Sequence, residues 1–188
     1  LVLSFFSPSG YEVKKTNSIA DVIVYLPIDT YNNCKKFIDI INPEVVVFVK
    51  SEIWPNYLNE IKKRNIKSIL VCAIYNSSQM KYGLLKKAVL KFDYIFTQDE
   101  KSKDLFKSIG HNNVFNSGDT RFDRVSLSKT LNEDVDYIKE FLSEKDCLIA
   151  GSTWGNDHEI LTSYINHSKS DLKYILAPHE INKEEINN

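Results

Sequence analysis

The chain has 188 residues, of which 43% are hydrophobic and 26% are charged, a composition typical of a folded globular protein and not of a disordered one. Its 24 basic and 25 acidic residues give a net charge of −1. A general nucleic-acid binder needs a basic excess to neutralise phosphates, so this charge balance argues against that class. We therefore expect no nucleic-acid partner.

The cysteines and histidines have no spacing that is typical of a disulfide framework or a metal site. Cys34, Cys72 and Cys147 are odd in number and far apart, which fits a reducing compartment. The four histidines lack metal-ligand spacing and HExxH is absent, so we expect no metal ion. No run of about 18 apolar residues occurs that would span a membrane as a helix.

Short β-branched or aromatic runs alternate along the chain with amphipathic stretches. The predicted strands cover residues 2–6, 22–26, 45–49, 68–73, 94–97, 114–116, 147–150 and 174–177. The predicted helices cover residues 31–41, 54–63, 84–91, 101–109, 135–142 and 158–164. The runs VVVFV and SILVCA lack alternation, which is typical of strands buried on both faces of a parallel sheet. We predict an α/β fold of Rossmann type.

The strand rhythm breaks after Asp119, because residues 120–137 carry no strand pattern and a new series begins near Leu148. We therefore predict two Rossmann-like domains with parallel sheets, covering residues 1–122 and 123–188. The chain opens within a strand pattern, without Met, and ends in what resembles the start of a helix. We expect an internal segment of a longer protein, with the first domain lacking its start and the second its end.

Three segments carry polar residues directly after predicted strands. In SPSGYE, residues 7–12, Ser9 and Glu12 have the spacing of a capping box. This predicts either a simple helix start or a turn that lines a cleft at the carboxyl edge of the sheet, where open α/β sheets bind ligands.

In KSEIWPN, residues 50–56, Pro55 suits the first turn of a helix. Glu52 then lies in a loop between a strand and a helix. Its carboxylate is either a partner of the helix dipole or a group that orients a sugar hydroxyl or takes a proton.

In AGSTW, residues 150–154, Gly151 lets the backbone approach a ligand closely. Ser152 and Thr153 present amides and hydroxyls at a helix start, which predicts an anion site. Neither a P-loop nor GxGxxG occurs, so a dinucleotide is not indicated. A basic amphipathic stretch, residues 81–92, fits either core packing or contact with an anionic membrane.

Taken in order, these motifs resemble those of the 3-deoxy-D-manno-octulosonic acid (Kdo) transferases of lipid A biosynthesis. SPSGYE resembles the family's TPTG turn, and KSEIWPN resembles its ExE-[LI]-WPN motif. QDE at residues 98–100 and GDTRFD at residues 118–123 resemble its Q-D/E and GNLKFD segments. AGSTW resembles AGSTH, and APHE at residues 177–180 resembles PRH. The matches cover nearly the whole chain.

The resemblance implies a glycosyltransferase of the B fold, with two Rossmann-like domains, that moves Kdo from CMP-Kdo to a lipid A precursor, lipid IVA. It implies inversion at the anomeric carbon without a metal ion or cofactor. It also implies a place on the membrane surface, at the cytoplasmic face of the inner membrane, with the anchor outside this segment. The segment alone is expected to be inactive.

The resemblance also assigns roles to residues of this chain. Glu52 would serve acceptor-side catalysis or orientation, while the family's usual general base would lie upstream of Leu1. The implied acceptor-binding residues are Ser9, Gly10, Lys50 and Arg121. The implied donor-binding residues are Gly151, Ser152, Thr153, Pro178 and His179.

The sequence departs from the family pattern at Lys50, which replaces a glutamate, and at His179, which replaces an arginine. Two alternatives remain. One is another sugar-nucleotide enzyme of the same fold, such as a 2-epimerase or a different transferase. The other is a catalytically silent binding module.

Overall fold

The computed structural model describes residues 1–16, 19–76, 78, 83–130 and 136–181. Its strands are β1 (Val2–Phe5), β2 (Val22–Tyr25), β3 (Val45–Val49), β4 (Lys67–Ala73), β5 (Tyr94–Thr97), β6 (Val114–Asn116), β7 (Cys147–Thr153) and β8 (Lys173–Pro178). Its helices are α1 (Pro8–Lys14), α2 (Tyr31–Ile41), α3 (Pro55–Lys63), α4 (Gly83–Val89), α5 (Glu100–Ser108), α6 (Thr120–Thr130), α7 (Asp136–Leu142) and α8 (Gly155–His167).

Every strand pairing in the described residues is parallel. β1 pairs with β2, the strands β3, β4, β5 and β6 form one sheet in that order, and β7 pairs with β8. The predicted α/β fold with parallel sheets is confirmed. A parallel sheet brings the carboxyl ends of neighbouring strands to one edge, and this property positions the site described below.

The core of the four-stranded sheet lies on one face, beneath the helices that connect its strands. Phe48, Leu70 and Ile95 project from β3, β4 and β5 into this core, where they meet Leu58 of α3 and Phe106 of α5 in one buried cluster. Because the strands follow one another in sequence order, right-handed crossovers place these connecting helices on the same face.

The opposite face of β3 contradicts the predicted burial on both faces. Val45, Val47 and Val49 are each about half exposed. The same crossover rule explains the difference, since α3, α4 and α5 cover the face that carries Phe48 and leave the valine face open. An apolar strand sequence without alternation therefore does not by itself show that both faces of the strand are buried.

The chain forms two compact units, Leu1–Lys129 and Thr130–Asn188. We call them unit 1 and unit 2. β6 belongs to the sheet of unit 1 and β7 to the separate sheet of unit 2. The helix α6, which the sequence did not predict, ends where the units divide, and its apolar residues Phe122, Val125 and Leu127 are exposed. Phe122 and Val125, three residues apart, lie on one side of the helix and Leu127 on the other, so the helical period in the sequence is weak.

The basic stretch near residue 90 contributes to the core of unit 1. Ala88, Val89 and Phe92 are buried, whereas Leu84 is largely exposed; residues 81 and 82 of the predicted amphipathic stretch lie outside the described residues. In the part of the chain that the structure describes, no helix is both long enough and apolar enough to cross a bilayer.

Candidate functional site

The loop with Glu52 is fixed by a residue that the sequence did not single out, Asp29. The Asp29 carboxylate accepts hydrogen bonds from the backbone N–H groups of Asn56 (3.2 Å) and Tyr57 (3.0 Å) at the start of α3. The Asn56 side chain donates in return to the Asp29 carbonyl at 2.7 Å. Pro55 occupies the first turn of the helix, where its missing N–H costs nothing. Asp29, 27 residues upstream of Asn56, therefore caps α3.

Glu52 is free of that capping role and lies exposed at the carboxyl end of β3. Its Oε2 accepts a hydrogen bond from Nε1 of Trp54 at 2.7 Å. Burial, with a smaller contribution from the Glu52 carboxylate, raises the pKa of Tyr75 well above its ordinary value. The cap of α3 thus comes from Asp29, and the role of Glu52 toward a ligand stays a prediction.

The predicted capping box at Ser9 and Glu12 is wrong. α1 begins at Pro8 with Ser7 in the N-cap position, so Ser9 lies within the helix, and its Oγ is 2.8 Å from Oγ of Ser7. Glu12 pairs instead with Lys15. The physical reason is Pro8, which favours the first helical position and thereby moves the helix start upstream of Ser9.

The turn after β1 still lies beside the Glu52 loop. The rings of Phe6 and Trp54 are in contact, with centroids 4.8 Å apart. Gly10 is required for packing, because a Cβ at this position would lie 2.5 Å from the Phe5 ring. The contact of Phe6 with Trp54 thus puts the turn after β1 next to the loop that contains Glu52, and the acceptor-binding roles of Ser9 and Gly10 stay predictions.

Arg121, one of the two predicted acceptor-side cations, pairs with the carboxylate of Asp119, and the charge of the other cation, Lys50, also acts on that carboxylate. Asp119 accepts hydrogen bonds from the backbone N–H (3.0 Å) and from Nε (2.8 Å) of Arg121. The Arg121 contacts, with a smaller effect of the Lys50 charge, hold the pKa of Asp119 below its ordinary value. Asp119 was not among the predicted site residues, although it belongs to the GDTRFD motif on which the resemblance rests.

Two residues at this edge have left-handed backbone conformations, which side chains other than glycine rarely adopt. Lys50 has φ 62° directly after β3, and Cys72 has φ 52° at the second-to-last residue of β4. Cys72 Sγ lies 3.3 Å from Oγ1 of Thr120, and Gln98 donates to the Cys72 carbonyl at 3.0 Å. Such strain costs about 1–3 kcal/mol per residue and clusters at functional sites.

In unit 2, Gly151, Ser152 and Thr153 end strand β7 and do not form the predicted loop. The pairing of β7 with β8 shifts register between Gly151 and Thr153, and Ser152 adopts φ 59° at that point. The left-handed residue is therefore Ser152. Gly151 itself does not have a positive φ, and a Cβ added to it would meet no protein atom within 4 Å; the expected close approach of a ligand to this backbone stays a prediction. The extra residue of a bulge re-aims the side chain that it carries.

The two hydroxyls at the end of β7 each meet a histidine. Ser152 Oγ lies 2.9 Å from Nδ1 of His179, and Thr153 Oγ1 lies 2.7 Å from Nε2 of His158. The imidazole of His179 stacks on the indole of Trp154, with ring centroids 4.4 Å apart. His158 was not predicted as a site residue, because its contact depends on how α8 starts.

The start of α8 is held by Asp157, whose Oδ2 accepts a hydrogen bond from the backbone N–H of Trp154 at 2.9 Å. Pro178 is the last residue of β8 and pairs with Thr153. A cavity of about 380 Å³ opens beside this edge. Its lining residues are Ala150, Gly151, Ser152, Thr153, Asp157, Ile160 and Leu161.

Within the described ranges, no group of three or more His, Cys, Asp or Glu side chains is arranged to hold a metal ion. Cys34, Cys72 and Cys147 are free thiols. The sheet edge of unit 1 carries carboxylates and cations. The sheet edge of unit 2 carries hydroxyls and imidazoles. Their chemistry is that of binding polar and anionic ligands and of moving protons.

Solved structures with the same fold define the class of protein. A UDP-N-acetylglucosamine 2-epimerase from Rickettsia bellii matches with a TM-score of 0.55 and 16% identity over 95% of this chain and 55% of its own. A protein of Listeria monocytogenes described as a UDP-N-acetylglucosamine 2-epimerase matches with a TM-score of 0.62 and 13% identity over 99% and 56%. At these identities the likeness shows the fold alone, which is that of the B-type glycosyltransferases.

The sequence itself places the chain within that class. The family model described as 3-Deoxy-D-manno-octulosonic-acid transferase (kdotransferase) matches residues 1–124, so the chain belongs to the Kdo transferase family. The resemblance drawn from the motifs is confirmed.

Curated relatives agree. The 3-deoxy-D-manno-octulosonic acid transferase of Rickettsia bellii is 29% identical over 81% of this chain and 38% of its own length. That of Aquifex aeolicus is 28% identical over 99% and 49%. A bifunctional glycosyltransferase/methyltransferase of Fusobacterium nucleatum is 28% identical over 95% and 30%. The chain thus spans about half or less of these relatives.

Proposed function

We propose that this protein transfers Kdo from CMP-Kdo to a lipid A precursor, with inversion at the anomeric carbon and without a metal ion. The observation that carries the proposal is the family match over residues 1–124, which contain the exposed Glu52 at the carboxyl edge of the four-stranded sheet. Open α/β sheets bind their ligands at this edge.

On the acceptor side, an acceptor hydroxyl attacks the anomeric carbon of Kdo. A carbon–oxygen bond to the acceptor forms, and the bond from the anomeric carbon to the phosphate oxygen of CMP breaks. Glu52 orients the acceptor, while the proton passes to the glutamate that the family resemblance implies upstream of Leu1. Arg121, held by Asp119, and Lys50 attract anionic groups of the acceptor, and Ser9 and Gly10 line the same edge.

On the donor side, CMP leaves with its negative charge toward Ser152 and Thr153. Their hydroxyls, the backbone amides at the start of α8 and the imidazole of His179 are the groups that stabilise this charge. Gly151 and Pro178 shape the paired strand ends that present them.

We also place the protein at a membrane surface, on the cytoplasmic face of the inner membrane. Lys86 and Lys87 of α4 lie beside the exposed Leu84, a combination that suits an anionic lipid surface. A lipid acceptor requires access of this kind.

The test is a transfer assay with the full-length protein, CMP-Kdo and a tetraacylated lipid A precursor, followed by mass spectrometry of the lipid. The expected result is a lipid heavier by one or more Kdo units and an equal amount of CMP. Epimerisation of UDP-N-acetylglucosamine in a parallel reaction, with no change of the lipid, would instead support the 2-epimerase alternative. Inactivity on both substrates would support a silent binding module.

A further inference from the structure

The end of β7 presents two consecutive hydroxyls whose hydrogen-bond direction depends on histidine. Ser152 Oγ contacts Nδ1 of His179 at 2.9 Å, and Thr153 Oγ1 contacts Nε2 of His158 at 2.7 Å. The histidines belong to different parts of unit 2, since His158 lies in α8 and His179 follows β8. Thr153 itself is buried.

A hydroxyl has one proton to donate and lone pairs to accept with. In a protonated histidine both ring nitrogens carry protons, so the contact runs only from the ring to the hydroxyl oxygen. The hydroxyl proton then remains for a third group. Protonation of His158 and His179 therefore makes Ser152 and Thr153 donors toward a ligand, and it adds positive charge at the same place.

We infer that the donor site binds an anionic phosphoryl group together with protons on His158 and His179, so that its affinity falls as the pH rises through neutrality. This inference rests on the proposed function, which puts the donor phosphate at Ser152 and Thr153. Histidine is the side chain that ordinarily changes charge between about pH 5 and 8.

The other charged side chains of these segments are of types that ordinarily keep their charge between about pH 5 and 8. β7 contains no charged residue, and the one charged residue of β8, Lys173, lies at its far end. Asp157 and Glu159 lie near the start of α8, and Glu180 follows His179. Carboxylates, unlike imidazoles, are ordinarily ionised throughout the range above about pH 5.

The stack of His179 on Trp154 points in the same direction. The ring centroids are 4.4 Å apart and the planes are inclined by 23°. The quadrupole of an indole attracts a cation placed over its face, so this geometry is one that suits an imidazole carrying a proton. It also fixes the ring so that Nδ1 stays on Ser152.

The experiment measures binding of the methyl ester of cytidine 5′-monophosphate to the full-length protein by calorimetry. This probe is a phosphodiester with a constant charge, whereas a phosphomonoester loses a proton near about pH 6. Titrations at about pH 5.5, 6.5 and 7.5, in buffers of different ionisation heat, count the protons taken up. We expect about one to two protons per ligand and a dissociation constant that rises about tenfold or more over this range.

The variants His158→Gln and His179→Gln keep a polar side chain that cannot titrate. Each should flatten part of the pH dependence, and the double variant should abolish it. His167→Gln, at the far end of α8, is the matched control and should keep the full dependence. A parent affinity that is independent of pH, with no proton uptake, would overturn the inference and leave the donor site standing. No binding at any pH would overturn the proposed donor site as well.

Discussion

The sheet edge of unit 1, with the proposed acceptor residues, and that of unit 2, with the proposed donor residues, have the same arrangement of elements but different chemistry. In each, polar side chains follow parallel strands and precede a helix. The edge of unit 1 carries Lys50, Glu52, Asp119 and Arg121, whose side-chain types ordinarily keep their charge between about pH 5 and 8. The edge of unit 2 carries hydroxyls and imidazoles. The inferred pH dependence of ligand binding therefore concerns the edge of unit 2 and not that of unit 1.

The edges also differ in how they are held. Asp29 reaches Asn56 across 27 residues, and Cys72 reaches Thr120 across 48. The contacts of Ser152 and Thr153 stay within the β7–α8–β8 segment. The acceptor edge thus depends on the core of unit 1, whereas the donor edge is a local structure. The predictions below test this difference.

The largest expected effect is that of Glu52→Gln on turnover. Loss of a group that orients or deprotonates a reacting hydroxyl costs about 10²–10⁴-fold in rate. Glu44→Gln is the matched control, because Glu44 is an exposed glutamate at the other end of the same strand. Steady-state transfer assays with circular dichroism check both variants. Equal turnover of Glu52→Gln and Glu44→Gln would contradict the role of Glu52.

Asp29→Ala should lower the free energy of unfolding by about 1–2 kcal/mol, because the N–H groups of Asn56 and Tyr57 lose their acceptor. Thr30→Ala is the control, since Thr30 caps α2 through a single long contact of 3.4 Å to Asn33 N. Urea denaturation measures both changes. If Thr30→Ala lowered the free energy of unfolding as much as Asp29→Ala does, the cap from Asp29 would contribute no more than an ordinary helix cap.

Ser152→Ala should weaken CMP binding by about 0.5–1.5 kcal/mol, the contribution of one neutral hydrogen bond. Gly151→Ala should cost less, because the space beside Gly151 is open. Calorimetric titration of both variants with CMP checks this order. If Gly151→Ala were the more damaging change, the backbone of Gly151 and not the Ser152 hydroxyl would contact the ligand.

His111 provides the contrast in unit 1, where a histidine affects folding. Its Nε2 donates to the Phe92 carbonyl at 2.9 Å, and its Nδ1 has no hydrogen-bond partner among the described residues. Burial lowers the pKa of His111 in the folded chain. The unfolded chain therefore binds the proton more readily, and stability should decline as the pH falls below about 6.5.

This decline should be smaller in His111→Gln, and denaturation curves between about pH 7.5 and 5 would show it. The rate of Kdo transfer, measured under conditions where both proteins are fully folded, should not change in His111→Gln. An unchanged slope in the variant would exclude His111 as its source.

The sequence predicted most of the fold because buried strands and amphipathic helices leave a local period. The strands β3, β5 and β6 and the helix α2 have the predicted bounds. The helix α6 has only a weak apolar period, because Leu127 lies opposite Phe122 and Val125, and α1 starts earlier than the Ser9 spacing indicates because Pro8 takes the first helical position.

The site was predictable only where a motif carried it. Glu52 and Ser152 stand in motifs that follow strands, so they could be found. Asp29 could not, because its partner Asn56 is brought to it by the packing of α3 against α2, which no local pattern records. The same holds for the pairing of Cys72 with Thr120.

The account assigns acceptor binding to the edge of unit 1 and donor binding to the edge of unit 2. The dissociation constant of CMP for the full-length Glu52→Gln variant tests this assignment most directly. The account predicts a value within about twofold of the parent, in a protein whose rate of Kdo transfer is lower by about 10²–10⁴-fold. That result would place Glu52 on the acceptor side alone. A dissociation constant raised about tenfold or more, in a variant that is folded, would contradict the account, because Glu52 would then belong to the donor site.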